Sequence, residues 1–311
     1  VNYFYFAEAS RTPSANPALR PTKTIDYEVG FQQKLSQSSA VKVSAYYKEQ
    51  RDMIQNRFLA NTFPVTNYDI FDNLDFATVK GFSFNYDLRR TNNLELQANY
   101  TLQFADGSGS DANSSSGINS RGVIRTLSPL SFDERHTLNL VMDYRYSEGR
   151  SYNGPRIGDT DILSNFGVNA QIRGVSGRPY TARRTVLPLG GSGFRGGINE
   201  ARLPWNFAID LQADKSFKLF NSGKGRPAYV NVYLRIQNLL DMKNIIGVYS
   251  FSGDPDSDGY LESSFGLDRV QQVEANGQSV DNFIAAYNWR VLQSGFYTQP
   301  RRITLGLRMD F

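Results

Sequence analysis

The chain has 311 residues, a net charge of +4 and no cysteine, with 34 Lys and Arg set against 30 Asp and Glu. The missing thiols exclude a disulfide scaffold, a thiolate metal centre and a cysteine nucleophile, and the scattered charge offers no basic block for nucleic acid. Mean hydropathy is −0.45, and no run approaches the ~18 apolar residues of a membrane-spanning helix.

Alternation of apolar and polar residues, the period of a strand with one apolar face, recurs along the whole chain. About ten strands are predicted in order: 1–8, 24–35, 40–54, 77–89, 93–105, 132–147, 164–180, 203–219, 227–249 and 297–311. Tyr27, Val29 and Phe31 share one side of the second; Val41, Val43, Ala45 and Tyr47 do so in the third. The clearest case sets Leu94, Leu96, Ala98, Tyr100 and Leu102 against Glu95, Gln97, Asn99, Thr101 and Gln103. The last strand carries Ile303, Leu305, Leu307, Met309 and Phe311 on one face and ends on that aromatic. With 18 Tyr and 21 Phe, the composition suits both strands and interfacial aromatic girdles.

Several predicted strands exceed the ~5–6 residues usual in soluble sheets and match the ~9–11 needed to cross a bilayer at a tilt. Short connections (36–39, 90–92, 221–226) alternate with long ones (9–23, 55–76, 106–131, 181–202, 250–296), apart from 148–163, which is long on the short side. Short periplasmic turns and long external loops are the topology of an outer-membrane barrel. The expected fold is therefore all-β, an antiparallel transmembrane β-barrel forming one domain over 1–311 in the bacterial outer membrane. Residues 106–120 and the glycines of 190–197 read as mobile external loops.

Few residues point to site chemistry. Asp254, Asp256, Asp258 and Glu262 stand at positions 1, 3, 5 and 9 of an acidic turn with Gly259 at position 6, a spacing that can wrap oxygens around Ca²⁺; Phe265 replaces the usual acid at position 12. The alternative is a solvated turn, and no other cofactor is expected. His136 is the only histidine and lies beside Asp133 and Glu134. A lone histidine with two neighbouring acids does not make a catalytic site, so no catalytic residue is assigned. Glu95, Gln97, Asn99, Arg145, Asp210, Gln212, Arg235, Gln237 and Arg308 are expected to face the lumen. Arg183-Arg184 and Arg301-Arg302 are expected near the outer rim, in reach of lipopolysaccharide phosphates.

Four stretches resemble one family. They are Arg11-Thr12-Pro13 with Asn16-Pro17-Ala18-Leu19-Arg20-Pro21 through Tyr27-Glu28-Val29-Gly30-Phe31; Asp133-Glu134-Arg135-His136-Thr137-Leu138-Asn139; Ser176-Gly177-Arg178-Pro179-Tyr180-Thr181; and Gln237-Asn238-Leu239-Leu240-Asp241-Met242-Lys243-Asn244. In this order they are similar to the barrel of TonB-dependent outer-membrane receptors, and the style is similar to receptors of Bacteroidota. The resemblance implies the C-terminal part of a 22-stranded barrel without its plug, energised nutrient import, and no enzymatic activity. The partners it implies are outer-membrane lipid and lipopolysaccharide, the barrel-assembly machinery, the N-terminal plug and barrel portion of the same protein, the TonB complex through that plug, and a surface lipoprotein. Nucleic acid is not expected. A receptor-like scaffold in an outer-membrane complex and a self-contained ten-stranded barrel are the alternatives.

Overall fold

The structure, a computed structural model, describes residues 15–60, 67–114, 126–186, 188, 193–221 and 227–310. The predicted strand 1–8, the Arg11-Thr12-Pro13 stretch and Phe311 lie outside these residues.

Alternation resolves into one antiparallel sheet. Its long strands are β1 (Lys23–Lys34), β2 (Ser39–Ala60), β3 (Asn67–Thr91), β4 (Leu94–Gly107), β5 (His136–Arg145), β6 (Phe166–Val175), β7 (Asn206–Asn221), β8 (Pro227–Gln237) and β9 (Arg302–Asp310). They neighbour one another in sequence order, and the two-residue strand Ser128–Pro129 pairs with β4. Every step is a hairpin, so each strand's backbone groups are satisfied by the next without a crossover.

Register shows why this sheet suits a membrane. Val29 is the Cα partner of Ala45, Ala45 of Phe82 and Phe82 of Leu102. Further along, Leu140 pairs with Ile172 and Ile172 with Ile209, while Leu211 pairs with Ile236 and Ile236 with Ile303. The apolar side chains thus form an unbroken belt. They remain uncovered: Val29 and Leu305 are each 73% exposed. In water such a continuous patch would be a liability; against lipid it is the appropriate surface. The opposite face continues equally well in polar residues, as in Asn85–Asn99–Asn139. A slip of one residue would exchange the two faces, so the pattern fixes the register.

Among the described residues β1 is paired only to β2 and β9 only to β8. The described strands therefore form an open wall, without the ring closure that a self-contained barrel requires. No described helix is long and apolar enough to cross a membrane.

Four expected boundaries are corrected. The 55–76 stretch is not a loop at its base: β2 and β3 stay paired out to Ala60 and Asn67. A bulge between Gln50 and Ile54, with Asp52 at φ 57°, breaks the period of two while the ladder continues. The strand expected over 227–249 stops at Gln237 because Asn238 and Asp241 turn the backbone into the left-handed region, at φ 51° and 52°. The long 250–296 segment contains two helices, α1 (Ser264–Ala275) and α2 (Val280–Val291). The 148–163 connection folds into its own hairpin, pairing Arg156–Ile157 with Thr160–Asp161.

Buried apolar packing occurs beyond the belt, at the end carrying the long connections. There Ala77, Ala105 and Leu130 form a small core with Met53 and Val79 against them.

Candidate functional site

The rim at this end is built by sequence segments far apart in the chain. Asp133, only 1% exposed, accepts a hydrogen bond from Ala105 N at 2.9 Å and forms an ion pair with Arg202. The Arg202 guanidinium also donates to Asp133 O at 2.8 Å and to Gly177 O at 3.3 Å. Beside it, Arg178 meets Glu134 at 2.5 Å. A Cβ on Gly177 would lie 1.6 Å from Leu203 O, so only glycine permits this approach. The 133–136 and 176–180 segments are thus two halves of one joint, and Arg202 is its pin.

The Gln237–Asn244 segment closes the next part of the rim. Asn238 donates to Met242 O at 3.0 Å and Gln299 O at 3.1 Å and accepts from Met242 N at 3.0 Å. Asn244 bonds both backbone groups of Phe207, and Asp241 accepts from Arg301 N at 2.8 Å. One turn thereby ties the end of β8 to the starts of β7 and β9.

Below the rim, the lumen-facing residues pair across strands. Arg145 grips Asp214 with both terminal nitrogens at 3.0 and 2.7 Å, above Gly167, whose absent Cβ makes room for the guanidinium. Arg90 bridges Glu95 and Asp143, Arg173 meets Asp210 at 2.8 Å, and Arg235 donates to Gln212 at 3.0 Å. A cavity of about 300 Å³ opens near the rim, lined among others by Arg173, Asn206, Asp210, Gln237, Thr298 and Arg302. Asn206 Oδ1 and Thr298 Oγ1 are buried there without a hydrogen-bond partner. Guanidinium donors beside unpaired oxygens can hold a polar solute or ordered water. Arg302, expected to reach lipopolysaccharide, lines this cavity, and as the Cα partner of Gln237 it belongs to the lumen register. Arg183 lies 4.9 Å over the Phe194 ring, and Arg184 donates to Phe194 O at 2.7 Å.

The acidic turn is held by hydroxyls and backbone. Asp254 accepts from Asp256 N at 2.7 Å, Asp256 from the Tyr297 hydroxyl at 2.7 Å, and Asp258 from Tyr260 N at 2.9 Å and the Tyr287 hydroxyl at 2.7 Å. Glu262 is exposed. Asp254, Asp256, Asp258 and Glu262 do not gather around one point: among the described residues no group of three or more acids or histidines is placed to hold a metal ion. The hydrogen bond to Asp256 pushes the Tyr297 hydroxyl from the ordinary 10.0 to about 12, and burial with the Asp258 bond pushes Tyr287 up as well. Both shifts favour the neutral phenol, so these anchors are complete below pH ~10 and are lost as pH rises through the folded values. In the full-length protein, ultraviolet titration should show Tyr287 and Tyr297 among the late-ionising tyrosines, with Asp256→Asn returning Tyr297 toward the main transition. A single transition containing every tyrosine would contradict the two anchors.

His136 stands in an aromatic row on the apolar face. The Tyr100 hydroxyl is 2.9 Å from its Nδ1, the Trp205 ring stacks at 5.3 Å, and Phe207 stacks on Trp205 at 5.8 Å. Such a row belongs to an interfacial girdle. Neither Arg202 nor the helices of the last long connection show in the alternation of the chain. Helix signals were present: Ser263 and Ser279 accept from Gly266 N and Asn282 N as N-caps, and Gly277 at φ 72° ends α1 with the 6→1 and 5→2 bonds of a Schellman turn.

A family model described as TonB dependent receptor-like, beta-barrel matches residues 2–239. Among solved structures, the outer membrane transporter YddB from Escherichia coli aligns with a TM-score of 0.51 at 14% identity, over 77% of this chain and 32% of that one. FpvAI in its complex with pyocin S2 aligns with a TM-score of 0.52 at 13% identity, over 94% of this chain and 28% of that one. At these identities the likeness is one of fold, and the chain spans no more than about a third of either structure. No curated protein matches the sequence.

Proposed function

The chain belongs to the TonB dependent receptor-like β-barrel family of the outer membrane, and on that premise we propose that it forms part of the wall of an energised nutrient importer. The observation that carries this reading is the open sheet with a continuous apolar belt on one face and a cross-paired polar lumen on the other. The edges of β1 and β9, unpaired among the described residues, support closure by further strands of the same protein, giving a 22-stranded ring of which this chain is the C-terminal part. A lumen lined by Arg90, Arg145, Arg173 and their acids suits contact with a polar plug. In this reading the TonB complex acts on that plug, and the chain's residues guide solute and carry out no covalent chemistry. The resemblance extends the proposal to a source in Bacteroidota.

The test is genetic. Deleting the gene in the producing bacterium should abolish growth on one limiting nutrient, and removing the TonB energising complex should reproduce that loss. Unchanged growth on every limiting nutrient, together with loss of a surface partner from the membrane, would instead establish a scaffold.

A further inference from the structure

The last long connection, with Pro188 of the 181–202 connection beside it, forms a second cavity, of about 510 Å³, lined by no residue of the long strands. Its volume is within the ~300–1,000 Å³ of small-molecule sites. Tyr249, Tyr260, Phe283 and Tyr287 line it with ring surface. Tyr260 and Tyr287 stack at 5.2 Å with 28° between their planes, and Phe283 leans on Tyr287 at 6.4 Å.

The hydroxyls of two of these rings are already engaged. Tyr287 donates to Asp258 at 2.7 Å and Tyr249 donates to Val291 O. Fixed in this way, both rings are left to offer faces and edges. Both Asp258 oxygens are taken, by Tyr287 and by Tyr260 N. Arg269 and Arg290 also line the cavity and are exposed. Arg269 donates to Gln272 at 3.1 Å, and neither guanidinium forms an ion pair with a carboxylate among the described residues. Two cations against one satisfied carboxylate leave the cavity positive. A guanidinium can grip a carboxylate by two bonds while ring faces extend a stack onto a flat ligand.

We infer that this cavity is a binding site for a small planar organic anion, its flat body against the Tyr260–Tyr287–Phe283 rings and its carboxylate held by Arg269 and Arg290. The site is independent of the transport reading, because no residue of the long strands lines it and it would bind whether or not the barrel imports.

Equilibrium dialysis of the full-length protein in lipid nanodiscs, with empty nanodiscs subtracted, tests it with 2-naphthoate as probe. One saturable site is expected. Neutral 2-naphthamide and non-planar cyclohexanecarboxylate should each bind at least tenfold more weakly. The Arg269→Gln/Arg290→Gln double variant should lose at least tenfold in affinity, and the Lys/Lys variant should recover part of it. Late ionisation of Tyr287 in both variants reports that the loop is still folded. Absence of saturable 2-naphthoate binding, or equal binding by the wild type and the folded Gln/Gln variant, would overturn the inference.

Discussion

Asp133→Ala should destabilise the barrel by about 3–5 kcal/mol, the cost of breaking a buried ion pair from one side. The carboxylate is almost wholly enclosed and serves Arg202 and the Ala105 amide at once. Its removal leaves a guanidinium facing the Asp133 and Gly177 carbonyls with its charge uncompensated. Arg135, 3.5 Å from the same carboxylate with its Nε otherwise unsatisfied, loses its acidic neighbour too. Denaturant titration of the full-length protein in detergent should show the loss, and limited proteolysis should open the 108–135 and 176–205 connections first. In a double-mutant cycle, Asp133→Ala with Arg202→Leu should cost clearly less than the sum of the single changes. Additive costs would mean that the pair does not act as a unit.

Leu234→Arg is expected to cost about 2–4 kcal/mol, the penalty of a cation on the lipid face near mid-membrane. Leu234 pairs with Ala213 on one side and Leu305 on the other, inside the belt. Gln97→Arg on the lumen face of β4, beside Glu95 and Asp143, is the matched control and should change stability by about 0.5 kcal/mol or less. Equal unfolding midpoints for the two variants would mean that the belt does not face lipid.

The belt was legible because a period of two is visible within a single strand, as in Leu94–Leu102, and consecutive hairpins leave little freedom in topology. Strand limits were not legible wherever the backbone departs from that period. The bulge at Asp52 shifts the phase, so the alternation breaks at a point where β2 only bends. The left-handed turn at Asn238 ends β8 within a run that still alternates. The rim joint was half legible: the 133–136 and 176–180 stretches were singled out, but no spacing rule connects Asp133 to Arg202, 69 residues away. The surroundings of the acidic turn were not legible for a related reason. Its spacing suits an ion, and nothing in that spacing tells that Asp258 and Asp256 accept from the hydroxyls of Tyr287 and Tyr297, from helix α2 and the strand approach beyond it.

The length of the β2–β3 hairpin has a consequence for the landscape of the cell surface. A strand of 22 residues extends about 70 Å along its own axis, or about 50 Å along the membrane normal at a tilt of about 45°. The hydrocarbon layer takes up only ~30 Å of that height. The remainder stands clear as a parapet on one flank of the mouth, so a bulky particle approaching from that side touches the battlement before it can look into the lumen.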